Sequence, residues 1–168
     1  MKIYFAVVFF LGISFSSYSQ YYEMLNSYRI DIHRNFTSNG YVQIDSSKNE
    51  IKYAYVVEND TKIYLTCSFT SEKLGGDLCN KMLYEFLCDE CFKDNISSVT
   101  NKKGEWFESE PNYYISKKRL AFELGNKKDN TSEVKIMRIE KTPNAKTRAT
   151  IFFEIETMRT EIWKKLKK

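Results

Sequence analysis

Short segments in which apolar and polar side chains alternate recur along most of this 168-residue chain, and they constrain its fold more than any other feature. Residues 41–45 (YVQID), 51–57 (IKYAYVV) and 62–69 (KIYLTCSF) follow one another with only turn-prone residues between them. A period of two places successive side chains on opposite faces of an extended strand. Because β-branched and aromatic residues dominate these segments, we expect a meander of antiparallel strands.

A second run of strand-like segments occupies the C-terminal half of the chain. Its members are equally rich in β-branched and aromatic residues: 104–109, 113–116, 119–124, 133–141 and 148–157. Turn-forming Gly, Pro and Asn residues occupy the stretches GNKKDNTS and TPNAKT between the later segments. The last two segments therefore predict a hairpin, and the closing EIWKKLKK predicts a short basic helix.

Between the two runs of strands, apolar residues take a helical spacing. Asp77 is a suitable N-cap, and Leu78, Met82 and Phe86 follow at intervals of four residues. Charged residues then interrupt the apolar side of the helical wheel. The pattern predicts one main helix that starts at Leu78 and fades near Cys88.

The segment before the first meander, residues 20–40, is less regular. It is compatible with a short helix that leads into a strand at residues 28–33. Together, the segments predict an α+β fold, with a mostly antiparallel sheet of two strand meanders packed on one main helix and a short C-terminal helix. A barrel wrapped by the main helix is the alternative.

The first nineteen residues have the three parts of a secretory signal peptide. A lysine precedes an apolar run (3–15), and Ser17 and Ser19 are small residues at a cleavage site. The run is shorter than the ~20 residues that a membrane-spanning helix needs. We expect cleavage after Ser19, export to the periplasm or the exterior, and a single domain over residues 20–168.

The chain has four cysteines, and both export and the even number favour disulfides. Cys67 alternates onto the buried face of its expected strand, and Cys79 lies on the apolar side of the expected helix. We therefore expect the pairs Cys67–Cys79 and Cys88–Cys91. The other two connectivities and four buried free thiols remain alternatives.

Two acidic residues separate the last cysteine pair, in the sequence Cys88-Asp89-Glu90-Cys91. A reactive dithiol usually has a thiolate stabilised by a helix N-terminus or by cations. At the C-terminus of the expected helix the dipole opposes an anion, and neighbouring carboxylates raise the pKa of a thiol. We favour a structural role over a redox centre, and over a zinc site, which usually needs two close cysteine pairs.

Few residues in the sequence suit catalysis. His33 is its only histidine, and neither a serine-nucleophile motif nor a phosphate-binding glycine loop occurs. Glu105, Glu108 and Glu110 flank Trp106, and carboxylates beside an aromatic ring are typical of glycosidases. The plainer interpretation is an edge strand with solvated acids.

Aromatic residues make up 15% of the chain and supply the candidate binding surface. Tyrosine combines an apolar ring with a polar hydroxyl, which suits an interface, although cross-strand packing explains the same pattern. The candidates on the expected strands are Tyr53, Tyr55, Tyr64, Trp106, Tyr113 and Tyr114.

These observations favour binding over catalysis. The net charge of +4 is too small to indicate nucleic acid, and no motif indicates a cofactor or a metal. We expect a small exported protein of the inhibitor, immunity or adaptor kind that binds a protein partner. The alternatives are a carboxylate-based enzyme acting on a glycan and a carrier of a small apolar ligand.

Overall fold

The computed structural model describes residues 23–72, 76–100, 105–120, 131–140 and 149–168. The signal segment (1–19), its cleavage site and residues 121–124 of an expected strand lie outside these ranges. In chain order the described helices and strands are α1 (Arg29–Ser38), β1 (Tyr41–Ser46), β2 (Glu50–Val57), β3 (Asp60–Glu72), β4 (Gly76–Phe86), α2 (Asp89–Thr100), β5 (Trp106–Glu110), β6 (Tyr113–Arg119), β7 (Thr131–Glu140), β8 (Ala149–Arg159) and α3 (Thr160–Leu166).

The eight strands form one antiparallel sheet in the order β1-β2-β3-β4-β8-β7-β6-β5. A mostly antiparallel sheet with a few helices is therefore confirmed. Local turn chemistry explains some of the pairing, because Glu58 and Asn59 both have positive φ in the two-residue turn between β2 and β3. Such a turn matches the twist of the strands that it joins.

The main helix expected from Leu78 is wrong, since this segment is strand β4. A spacing of four residues fits both periods, and Met82 and Phe86 lie on the buried face of a strand as readily as on that of a helix. The strand pairs with β3 on one side and β8 on the other. Asp77, expected to cap a helix, instead accepts a hydrogen bond from Nε of Arg29 at 3.2 Å.

The strand expected at residues 28–33 is also wrong, because α1 begins at Arg29. Ile32 and Phe36 are four residues apart and fully buried, so they give the helix its apolar side. Gly40 follows the helix with φ of 84°, a left-handed conformation that costs glycine little.

Two apolar clusters lie on opposite faces of the sheet. The main core joins α1 to the sheet, and includes Ile32, Phe36, Tyr53, Leu65, Cys67, Met82, Tyr84, Phe86, Met137 and Phe153. The minor core consists of Ile115, Val134, Ile136 and Trp163, the last from α3. Because Ile136 and Met137 are neighbours on β7, their membership of different clusters shows that the clusters occupy different faces.

Candidate functional site

The aromatic candidates do not form one surface. Tyr53 is fully buried and Trp106 is 6% exposed, so both are main-core side chains. Tyr64 is paired with Ala54, and the alternation along β2 therefore places it on the face opposite Tyr53 and Tyr55. The two remaining tyrosines lie on β6, several strands away. Of the set, only the half-buried members can contribute to a surface.

His33 is placed on α1 and reaches the sheet through Tyr53. Its Nδ1 atom lies 3.3 Å from the hydroxyl oxygen of Tyr53. Burial is the largest cause that raises the pKa of Tyr53, and the neighbouring Cys67 adds to it. The phenol consequently stays protonated at ordinary pH, and the contact anchors α1 to the sheet.

A cavity of about 290 Å³ lies beside Trp106, and its lining carries both signs of charge. Glu23, Glu105, Arg119 and Lys135 all line it. Burial lowers the pKa of Lys135, and attraction to Glu23 and Glu105 opposes that shift. The cavity therefore combines charged groups with a lining that is mostly apolar by area.

The structure separates the acids that flank Trp106 in the sequence. Glu105 lines the cavity together with Glu23, which the sequence analysis did not single out. Glu108 is instead occupied at the turn between β5 and β6, where its Oε1 accepts a hydrogen bond from the Asn112 amide at 3.0 Å. Among the described residues, no group of three or more histidine, cysteine or acidic side chains has the arrangement to hold a metal ion.

Strand β1 presents apolar side chains at one end of the sheet. Val42 is 56% exposed and Ile44 is 53% exposed, and we call these two residues the β1 edge patch. β1 is the terminal strand in the sheet order and pairs with β2 alone among the described strands. Val42 shares a row with Ala54 and Tyr64, so a partly exposed tyrosine lies on the same face of the sheet.

Cys88 and Cys91 are joined by a disulfide, with their Cα atoms 5.4 Å apart. The pair begins helix α2, whereas the sequence analysis placed it at the end of a helix. The acidic residues Asp89 and Glu90 in the first turn were the available signal, because acids favour helix N-termini.

Cys67 and Cys79 are both fully buried and are free thiols in this structure. Burial is the largest cause that raises the pKa of the Cys67 thiol, followed by its hydrogen bond to Cys79. The two side chains are therefore neighbours across the β3–β4 pair. Their disulfide remains a prediction.

Comparison of the chain with protein families, curated proteins and solved structures found no match. None of the helices in the described ranges has the length and apolar character needed to cross a membrane.

Proposed function

We propose that this protein is an exported binding protein that attaches to a protein partner through strand β1. The observation that carries the proposal is the β1 edge patch, in which Val42 and Ile44 are each more than half exposed on a terminal strand. Large apolar side chains on an unpaired edge invite association with another chain.

The chemistry of the edge favours an extended polypeptide as the partner. A terminal strand has backbone amide and carbonyl groups directed away from its single neighbour, and an added strand satisfies them. β1 has five exposed residues after Tyr41. A β-bulge between Gln43 and Asp45 interrupts its register with β2, so a short partner segment fits better than a long one.

The apolar side chains supply affinity beyond the backbone hydrogen bonds. Burying a Val or Ile side chain completely contributes about 1.5–3 kcal/mol. Tyr64, on the same face as Val42, extends the surface toward the middle of the sheet. Tyr113 and Tyr114 belong to a different region and are not part of this surface.

The proposal is tested by immobilising the purified protein and exposing it to extract from its own cell envelope. We expect one stoichiometric polypeptide partner, which crosslinks to a photoreactive residue at position 42. The double variant Val42→Lys and Ile44→Lys should reduce capture at least tenfold, since each tenfold corresponds to about 1.4 kcal/mol.

The matched control is Ile162→Lys, which changes an apolar residue of α3 that is 48% exposed. It should capture the partner as well as the unchanged protein does. Equal capture by all variants, or no stoichiometric partner, would refute binding through β1. Mapping the N-terminus of the native protein tests export separately, and a start at Gln20 is expected.

An enzyme acting on a glycan is the second candidate, and the cavity beside Trp106 favours it. Glu105 and Glu23 both line that cavity, and glycoside hydrolysis generally requires two carboxyl groups. Release of reducing sugar from envelope polysaccharide, abolished by Glu105→Gln, would support this candidate.

A further inference from the structure

Cys88 occupies the N-cap position of helix α2. Its carbonyl oxygen accepts a hydrogen bond from the amide nitrogen of Phe92 at 3.2 Å, the first bond of the helical pattern. Its Sγ atom accepts a hydrogen bond from the amide of Cys91 at 3.3 Å. The sulfur thus takes the place that the oxygen of a capping Ser or Asp normally fills.

This position stabilises a thiolate at Cys88 when the disulfide is opened. The amide of Cys91 already points at the sulfur, and the positive end of the helix dipole favours an anion there. Asp89 and Glu90 act in the opposite direction, and their exposure to solvent weakens this effect without removing it. The stabilisation by the helix comes from backbone groups that are fixed beside the sulfur, so solvent screens it less than it screens the two carboxylates.

The two sulfurs also differ in their surroundings. Both cysteines are half-buried, but Cys91 packs against the main core, whereas Cys88 lies just beyond the end of β4. The backbone before the pair is held in place, because the Leu87 amide donates to the Lys62 carbonyl at 2.9 Å. Because Cys91 packs against the main core and Cys88 does not, we take the sulfur of Cys88 as the one that a substrate attacks.

We propose that the Cys88–Cys91 disulfide is a thiol–disulfide exchange site that oxidises dithiols in polypeptides. Substrate thiolate attacks Sγ of Cys88 and forms a mixed disulfide. The Cys88–Cys91 bond breaks, and its electron pair leaves with Sγ of Cys91, which takes a proton from water. The second substrate thiolate then attacks the substrate sulfur, which forms the substrate disulfide and releases Cys88 as a thiolate.

In this reaction the substrate loses two electrons and the cysteine pair gains them. Stabilising the Cys88 thiolate stabilises the reduced form of the protein, and this makes the disulfide a better oxidant. The exchange site follows β4, three strands from β1 in the sheet order, so its test does not require the partner of β1.

Charge around the pair indicates the class of substrate. Asp89, Glu90 and Asp94 are exposed near the start of α2, and Lys93 is the exposed cation among them. The local excess of negative charge attracts cationic chains and speeds their encounter. We therefore assign the site to thiols that have basic residues beside them.

The first experiment mixes the oxidised protein with a reduced synthetic peptide that carries two cysteines flanked by lysines. Site-resolved mass spectrometry of alkylated samples follows each cysteine. We expect one equivalent of peptide disulfide per protein, with new thiols at Cys88 and Cys91 and no change at Cys67 and Cys79. A disulfide that persists with the folded protein, and opens only in denaturant, would overturn the proposal.

The second experiment separates exchange from a structural bridge. Cys91→Ser, incubated with the oxidised peptide, should trap a mixed disulfide at Cys88, whereas Cys88→Ser should trap at least tenfold less. Equal trapping by both variants would contradict the assigned order of attack. If either variant fails to fold by circular dichroism, the measurement on the unchanged protein still decides the proposal.

The third experiment tests the charge argument. The lysine-flanked peptide should react about tenfold faster than a glutamate-flanked one at low salt. Asp89→Asn with Glu90→Gln should reduce that preference while leaving the exchange itself intact. An unchanged preference in this variant would remove the acidic residues from substrate choice.

Discussion

The two ends of the sheet differ in the faces that they bury. At the β1–β4 end, α1 covers the face that bears Tyr53 and Leu65, and the largest cluster of buried residues forms there. At the β5–β7 end, α3 covers the other face with a single buried side chain, Trp163. This end also contributes Trp106 and Met137 to the main core, so both of its faces are buried.

This difference leaves one face of the β1 end open to solvent. The main core contains two fully buried α1 side chains, Ile32 and Phe36, and it continues across most of the sheet. The face of the β1 end that α1 does not cover presents Val42 to solvent. The region with the most extensive buried packing therefore also carries the exposed apolar edge. This packing gives the binding surface a rigid support.

Truncating a main-core side chain should have the largest effect on stability. Phe36→Ala removes a fully buried ring from between α1 and the sheet, and we expect a loss of about 3–5 kcal/mol in the free energy of unfolding. Urea unfolding measures it. The control is Ile30→Ala on the same helix, 65% exposed, which should change stability by about 0.5 kcal/mol or less. A loss for Phe36→Ala no greater than that of the control would contradict the assignment of the main core.

A change at the minor core should lower the free energy of unfolding by less than Phe36→Ala does. The indole Nε1 of Trp163 donates to the carbonyl oxygen of Ser116 at 3.0 Å. Trp163→Phe keeps most of the apolar contact and leaves the carbonyl without this donor, for an expected cost of about 1–3 kcal/mol. The same urea series measures it. A cost equal to that of Phe36→Ala would show that the two clusters contribute alike.

Alkaline pH should reduce the stability that Tyr113 contributes beside the minor core. Burial, together with the charge of Glu156 and its hydrogen bond, raises the pKa of Tyr113 to about 12. The unfolded chain loses this phenol proton near pH 10 while the folded chain retains it, so stability contributed here falls between pH 10 and about 12. Tyr113→Phe should flatten this decline in unfolding experiments at pH 9, 10 and 11. A decline of unchanged slope would exclude this contribution.

Changes at the β1 edge patch should have the smallest effect on stability. Val42→Lys and Ile44→Lys replace side chains that are more than half exposed, so the expected change is about 0.5 kcal/mol or less. Thermal and urea unfolding check this. A loss above 1.5 kcal/mol would mean that the patch serves the fold, and reduced partner capture would then have a structural explanation.

Local sequence pattern predicted much of the sheet but little of the candidate site. The segments at 41–45, 51–57 and 62–69 became β1, β2 and β3, because alternation reports directly which side chains share a face. The exposure of Val42 could not be predicted in this way, because alternation does not indicate which strand ends the sheet. Glu23 lies far from Glu105 in the chain, and only folding brings both to one cavity.

The sequence by itself determined an antiparallel, strand-rich chain with a close cysteine pair, since turn residues and alternation act over a few positions. Tertiary structure decided the rest. Residues from Leu78 to Phe86 satisfy both a helical and an extended pattern, and the ladders to β3 and β8 select the strand. That choice moves the start of a helix to Cys88, and so reverses the sign of the helix dipole at its sulfur.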